Sequence, residues 1–133
     1  MNTFVDTSVW SLALRRDRPP ALPELDELDR VLSTGTVVST GLVLQELLQG
    51  FSRPKAHEEI ISRFRALPFV VPDRDDHIAA ADLRIKCRRR GVQVGTIDAL
   101  LAQLCIRHEL IMLTTDKDFR AASRIVPVAL WTG

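Results

Sequence analysis

TFVDTSVW, residues 3–10, opens the chain with an apolar, strand-like run that stops at a carboxylate. Thr3, Phe4 and Val5 suit a buried strand, and Thr7-Ser8 suit the entry to a helix beginning near Val9. An aspartate at such a junction has two readings. Asp6 either caps the helix, or it sits at the carboxyl end of a strand where ligands bind in parallel α/β sheets. The choice turns on whether other acids occupy equivalent places.

The rest of the chain repeats the strand-then-helix pattern. After a loop at 17–23, whose prolines start a helix through about Leu32, a second strand is predicted at 36–39. Helices follow at about 42–51, ending near Gly50, and at about 56–66, and LPFVVP (67–72) reads as a third short strand. Asp73 opens a long helix that ends at Gly91. Thr96 is expected to cap another, running to about His108 with Ile97, Leu101, Leu104 and His108 on one stripe. LIMLTT (110–115) is a fourth strand, FRAASR (119–124) a short helix and VPVALW (126–131) a closing strand. Short, nearly all-apolar strands alternating with helices predict an α/β fold: a mainly parallel central sheet of about five strands, flanked by helices on both faces.

At 133 residues the chain is long enough for one domain, spanning 1–133, and too short for two ordinary ones. Hydrophobic residues make up 46%, which argues against disorder. No apolar run approaches the roughly 20 residues of a membrane span. The start MNTFVDTS lacks a signal-peptide pattern, so a cytoplasmic location is expected. Cys87 and Cys105 have no metal-ligand spacing and read as ordinary partly buried thiols. The net charge of +1 hides clusters of arginine at 15–18, 52–55, 63–65 and 86–90, and around Arg120 and Arg124. These are either a basic rim around an acidic centre or solvated helix surface. Trp10, Leu12 and Leu14 suit core packing better than an interface.

Four acids fall at related places. Asp6 and Asp116 end strands, while Glu46 (in LVLQELL) and Asp98 lie near the starts of helices. Each has a plain structural role open to it: Asp98 complements its helix dipole, and Asp116 sits in a turn. Glu46 is harder to dismiss, because leucines surround it and no arginine lies at its helical neighbour positions. Together the four can converge on one crevice, where mutual repulsion calls for a cation. Oxygen ligands without a His or Cys cluster select Mg²⁺ or Mn²⁺ over zinc. There is no glycine-rich phosphate loop and no Ser-His-Asp set. A receiver-like module would want a paired acid near Asp6 and a late lysine after a strand. A haloacid-type phosphatase would want an aspartate where Ser8 stands.

The ordered set FVDTSVW, LQELLQG, GTIDALLAQL and LTTDKDF resembles the PIN-domain ribonucleases, in particular the VapC-like toxins of toxin–antitoxin pairs, over essentially the whole chain. The resemblance implies a PIN-like three-layer sandwich and a Mg²⁺ site (Mn²⁺ substituting) formed by Asp6, Glu46, Asp98 and Asp116. Asp6 and Asp98 would be principal ligands, and Glu46 and Asp116 would act directly or through water. It further implies RNA as substrate, products with a 5′-phosphate and a 3′-hydroxyl, an antitoxin protein as partner and a homodimer. Thr7, Ser8 and Thr114 fall where the family places supporting polar groups, while Thr115 departs mildly from its usual Asn or Ser. Asp118 is expected to cap the 119–124 helix, leaving Asp116 for the metal. Arg84 to Arg90 either grip RNA phosphates or complement their helix end. The alternative is a catalytically silent PIN-like module that binds RNA or protein.

Overall fold

The computed structural model describes residues 1–15 and 19–133. Most of the basic run at 15–18 and the start of the loop at 17–23 therefore lie outside the described residues. The order is β1 (Thr3–Val5), α1 (Thr7–Leu14), α2 (Pro23–Thr34), β2 (Val37–Val38), α3 (Gly41–Gly50) and α4 (Pro54–Arg65). It continues with α5 (Arg74–Arg89), α6 (Thr96–Arg107), β3 (Ile111–Leu113), α7 (Lys117–Ala122) and β4 (Ala129–Leu130).

The sheet is parallel, with strand order β2-β1-β3-β4. It has four strands among the described residues, against an expectation of about five. The segment expected as a strand at 67–72 contributes only a single parallel bridge, Phe69 to Ser39. Two bonds hold it, from the Ser39 N–H to Pro68 O and from the Val70 N–H to Ser39 O. Pro68 and Pro72 lack N–H donors, which limits how far that segment can extend a ladder.

Strand order reverses direction at β1: the chain moves from β1 to β2 on one side, then crosses to β3 on the other. That switch point is where the loops after adjacent strands diverge and leave a crevice. Val5 pairs with Leu113, and the Asp6 N–H continues the ladder to Leu113 O at 2.9 Å. The register therefore sets Asp6 beside Thr114.

Phe4, Val5, Met112 and Leu113 are wholly buried between the helical layers, where each such side chain contributes roughly 1.5–3 kcal/mol. Trp10 of α1 is buried and packs on Phe64 of α4, ring centroids 4.9 Å apart, so its role is core packing. Both cysteines are buried free thiols. The α6 stripe differs from expectation: Leu101 and Leu104 are buried, but Ile97 is 42% exposed and His108 lies at the surface. The buried face instead takes in Ala99, Leu100, Ala102 and Cys105.

Helix α5 begins as its sequence requires. Asp73 accepts the Asp76 N–H, and the Asp76 carboxylate accepts the Asp73 N–H, forming a reciprocal capping box. Asp76 is also buried against α6, where the Arg107 guanidinium reaches its Oδ2 at 2.6 Å. Burial pushes the Asp76 carboxyl up, but the Asp73 N–H, Arg107 and Gln103 together hold it below the ordinary carboxylate value. This contact locks the pair of helices of which α6 carries Asp98. Gly95, not Thr96, occupies the cap position of α6, and Thr96 is its first residue. No helix among the described residues is long and apolar enough to cross a membrane.

Candidate active site

Asp6 is where the two readings of the opening stretch part. It stands at the cap position of α1, yet its side chain makes no cap hydrogen bond. Instead its Oδ2 accepts the Ser8 hydroxyl and the Thr114 hydroxyl, each at 2.8 Å. Ser8 Oγ in turn accepts the Thr115 N–H at 3.1 Å, and Thr114 Oγ1 accepts the Asp116 N–H at 3.0 Å. Two strand-end loops are thereby tied through one carboxylate oxygen, which is a positioning network rather than a helix cap. Asp6 is only 5% exposed. Burial raises its carboxyl above the ordinary value, opposed by the Ser8 and Thr114 hydroxyls and the nearby N–H groups of Ser8 and Thr7.

Asp98 shows most clearly that the acids converge. It lies half-buried in the first turn of α6, a position whose helix dipole favours the ionised form. Its carboxyl is nevertheless pushed up to about 6, by burial first and then by Asp6, Asp116, Glu46 and Asp118. Burial and the repulsion of four acidic neighbours together outweigh the dipole. Glu46 is also raised, by burial and by Asp6. Its surroundings correct the sequence argument, however. Glu46 lies on the exposed side of α3 while Val43 and Leu47 enter the core, so the flanking leucines do not enclose it. What marks it is the Asp6 charge nearby, which together with partial burial raises its carboxyl.

The two acids of the DKD segment exchange one expected role. Asp116, not Asp118, caps α7: its Oδ1 accepts the Asp118 N–H at 2.9 Å. Asp118 sits exposed in the first turn and contributes its charge to the crevice. The helix begins two residues earlier than the FRAASR pattern indicates, because Lys117 and Asp118 complete its first turn.

All four predicted acids, with Asp118 as a fifth, thus share one crevice at the carboxyl ends of β1 and β3. Ser8 and Thr114 join it as supporting groups. Thr7 does not enter the network: its hydroxyl is buried without a hydrogen-bond partner. Sequence reasoning missed the backbone donors of Thr115 and Asp116, for which the paired hydroxyls of DTS and TTD were the available signal. It also missed the bond from Arg84 Nε to Val94 O at 2.7 Å, which braces the loop leading to Asp98.

Among the described residues, no three His, Cys, Asp or Glu side chains are grouped so that they hold a metal ion as they stand. The arrangement is an open acidic crevice rather than a closed ligand cage. Its chemistry still fits a hard divalent cation: every side-chain donor is oxygen, and the mutual repulsion at Asp98 is what such a cation relieves.

The fold and these residues place the chain in a known class. Residues 3–125 match the PIN domain family, and the chain belongs to that family. It is similar to the VapC ribonuclease Mb1587 of Mycobacterium bovis and to ribonuclease VapC11 of Mycobacterium tuberculosis. Each is 31% identical over 126 residues, which cover 92% of this chain and 92% of the relative. Among solved structures, FitAB bound to a DNA fragment superposes with a TM-score of 0.79 at 21% identity, covering 97% of this chain and 93% of that one. VapBC2 from Rickettsia felis, bound to a DNA fragment from its promoter, gives 0.74 at 21% identity and covers 98% of each chain. These likenesses bear out the PIN-like α/β fold.

Proposed function

We propose that this chain is a divalent-cation-dependent endoribonuclease, acting as the toxin of a type II toxin–antitoxin pair. The observation that carries the reading is the convergence of Asp6, Glu46, Asp98, Asp116 and Asp118, felt at Asp98 as a carboxyl raised to about 6. Relatives named as VapC ribonucleases support the reaction class.

A bound Mg²⁺ or Mn²⁺ would supply a water of lowered pKa and charge stabilisation for a phosphodiester under attack. Asp6 and Asp98 are assigned as its principal holders, with Glu46 and Asp116 acting directly or through water. Ser8 and Thr114 fix the rotamer of Asp6 by donating to one of its oxygens. Asp116 is held by its own cap bond to α7, so its carboxylate enters the crevice in a set orientation. Carboxylates alone repel a phosphate, which makes the chain's own residues insufficient for RNA binding at the crevice without a cation.

A protein antitoxin and a homodimer are the proposed partners, supported by the likeness to the VapBC2 and FitAB structures. The test is purified chain on total RNA with Mg²⁺, with Mn²⁺ and with chelator, followed by end-group analysis. Cation-dependent fragments bearing 5′-phosphate and 3′-hydroxyl ends are expected. Intact RNA under all three conditions, from a folded protein that still binds RNA, would assign the chain to a silent binding module instead.

A further inference from the structure

A hollow of about 530 Å³ lies where α7 meets the edge strand β4. Arg120 and Arg124 line it from α7 and the turn that follows, and Val128, Leu130, Trp131 and Thr132 line it from β4 and its flanks. Two connections fix its place relative to the acids. Trp131 donates its N–H to Met112 O at 2.9 Å, continuing the pairing of Met112 with Leu130. Trp131 therefore stands level with Leu113, about 4.8 Å away across the sheet. The residue after Leu113 is Thr114, whose hydroxyl holds Asp6. Helix α7 makes the second connection, because Asp116 and Asp118 stand at its start. At a helical rise of roughly 1.5 Å per residue, Arg124 lies only about 9 Å along the chain from Asp118.

The charge of the hollow is opposite to that of the crevice. Lys117 and Arg124 are exposed, and among the described residues neither has an ion-pair partner. Arg120 meets Glu24 of α2 only loosely, at 3.9 Å, with 61% of its side chain in solvent. Helical spacing sets Lys117, Arg120 and Arg124 along one side of the chain. Trp131 lines the hollow and is only half-buried, so part of its indole stays open. Cations beside a partly open indole suit a polyanion that also carries flat faces. Single-stranded nucleic acid is such a ligand: its phosphates take arginines and its unstacked bases take aromatic rings. An acidic protein segment would use the arginines and leave the indole idle. A duplex would satisfy the cations but has no free base face.

We propose that this hollow is a second contact for the RNA strand, with phosphates on Arg120 and Arg124 and one unpaired base stacked on Trp131, so that the strand runs from the crevice along α7. The proposal rests on the ribonuclease reading for its choice of RNA, and adds a binding site that needs no metal. The test is therefore made in chelator at low salt, where the crevice holds no cation. The chain has two tryptophans and no tyrosine, and Trp10 is buried, so a change of emission on adding RNA reports Trp131. A fluorescein-labelled single strand should bind, seen as raised anisotropy, and its unlabelled copy should quench that emission. The same strand in a duplex should leave the emission at its starting value. Trp131→Ala should raise Kd about ten-fold, the scale of one lost stack, and abolish the quench. Arg124→Gln should raise Kd several-fold and flatten the slope of log K against log salt by about 0.7, the share of one phosphate contact. Melting temperatures check both variants, and Arg124, being exposed, is replaced without touching the core.

A single strand that leaves the emission unmoved, or parental Kd and salt slope in a folded Arg124→Gln, overturns the hollow while leaving the nuclease reading standing. Equal quenching by the duplex also overturns it, since a paired base has no face to stack. Binding with the expected quench, by a chain that cuts no RNA under Mg²⁺ or Mn²⁺, upholds the hollow and removes the nuclease reading.

Discussion

Replacing Asp98 by asparagine keeps the side chain's shape and removes its charge, and with it both the burial penalty on that charge and its repulsion by the neighbouring acids. The carboxyl is raised from 3.8 to about 6 by burial and four acidic neighbours. At 1.36 kcal/mol per pH unit, that corresponds to about 3 kcal/mol at full weight. Asp98 is only half-buried, and screening by solvent reduces the figure to about 1–2 kcal/mol. The sign follows from the raised value in the folded state. The wild-type contribution is fully present below the unfolded value of 3.8 and is lost as pH rises through about 6. In chelator at about pH 8, Asp98→Asn should therefore melt above wild type, by roughly 4–8 °C for a chain of this size. The advantage should shrink through the interval from about 6 down to 3.8, where wild-type Asp98 takes up its proton. Thermal melts by circular dichroism across that range provide the assay. An Asp98→Asn protein that melts at or below wild type at every pH refutes the crowded-acid account.

Asp76→Ala should cost about 2–3 kcal/mol, read as a lowered urea midpoint, because it removes the buried carboxylate that Arg107 holds at 2.6 Å and half of a capping box. Wild-type Asp76 titrates below its ordinary value, so its stabilisation is present at neutral pH and lost as acid protonates it. Thr114→Val should cost about 1–2 kcal/mol by stripping a buried hydroxyl from Asp6 and from the Asp116 N–H. It should also slow RNA cleavage, since Asp6 loses one of the groups orienting it. Asp116→Ala should lose about 1 kcal/mol as a missing cap, whereas Asp116→Asn should keep the cap and lose only cleavage. Asp118→Asn should leave the α7 cap intact, measured by melting and by RNA cleavage at saturating Mg²⁺.

The parts of this account that were legible in the sequence are those carried by periodicity and junctions. Apolar runs ending at Asp6 and Asp116, and helices opening before Glu46 and Asp98, are local patterns that survive folding. The fifth strand was not legible, because 67–72 has a strand's composition but prolines at both ends of its apolar run, and only Phe69 finds a bridge. The passing of the α7 cap from Asp118 to Asp116 has a similar cause. Both are good caps, and which one caps depends on where α7 starts, a choice made by tertiary packing of Phe119 in the core. The exposure of Glu46 was hidden for a different reason. A leucine-rich helix flanks its acid on both sides in sequence, but only one side of that helix meets the core. The role of Asp6 needed the parallel register itself, since Thr114 lies 108 residues away and reaches it only across paired strands.

The central claim, that this crevice cuts RNA only with a cation held among its acids, is tested most directly by the rate of RNA cleavage against Mg²⁺ concentration. Wild type and Asp6→Asn should be purified in parallel and matched for folding. The account predicts a saturable rise from no activity in chelator for wild type, and no activity at any Mg²⁺ concentration for Asp6→Asn. Cleavage that chelator leaves unchanged, or an Asp6→Asn protein that cuts at the parental rate, would contradict it.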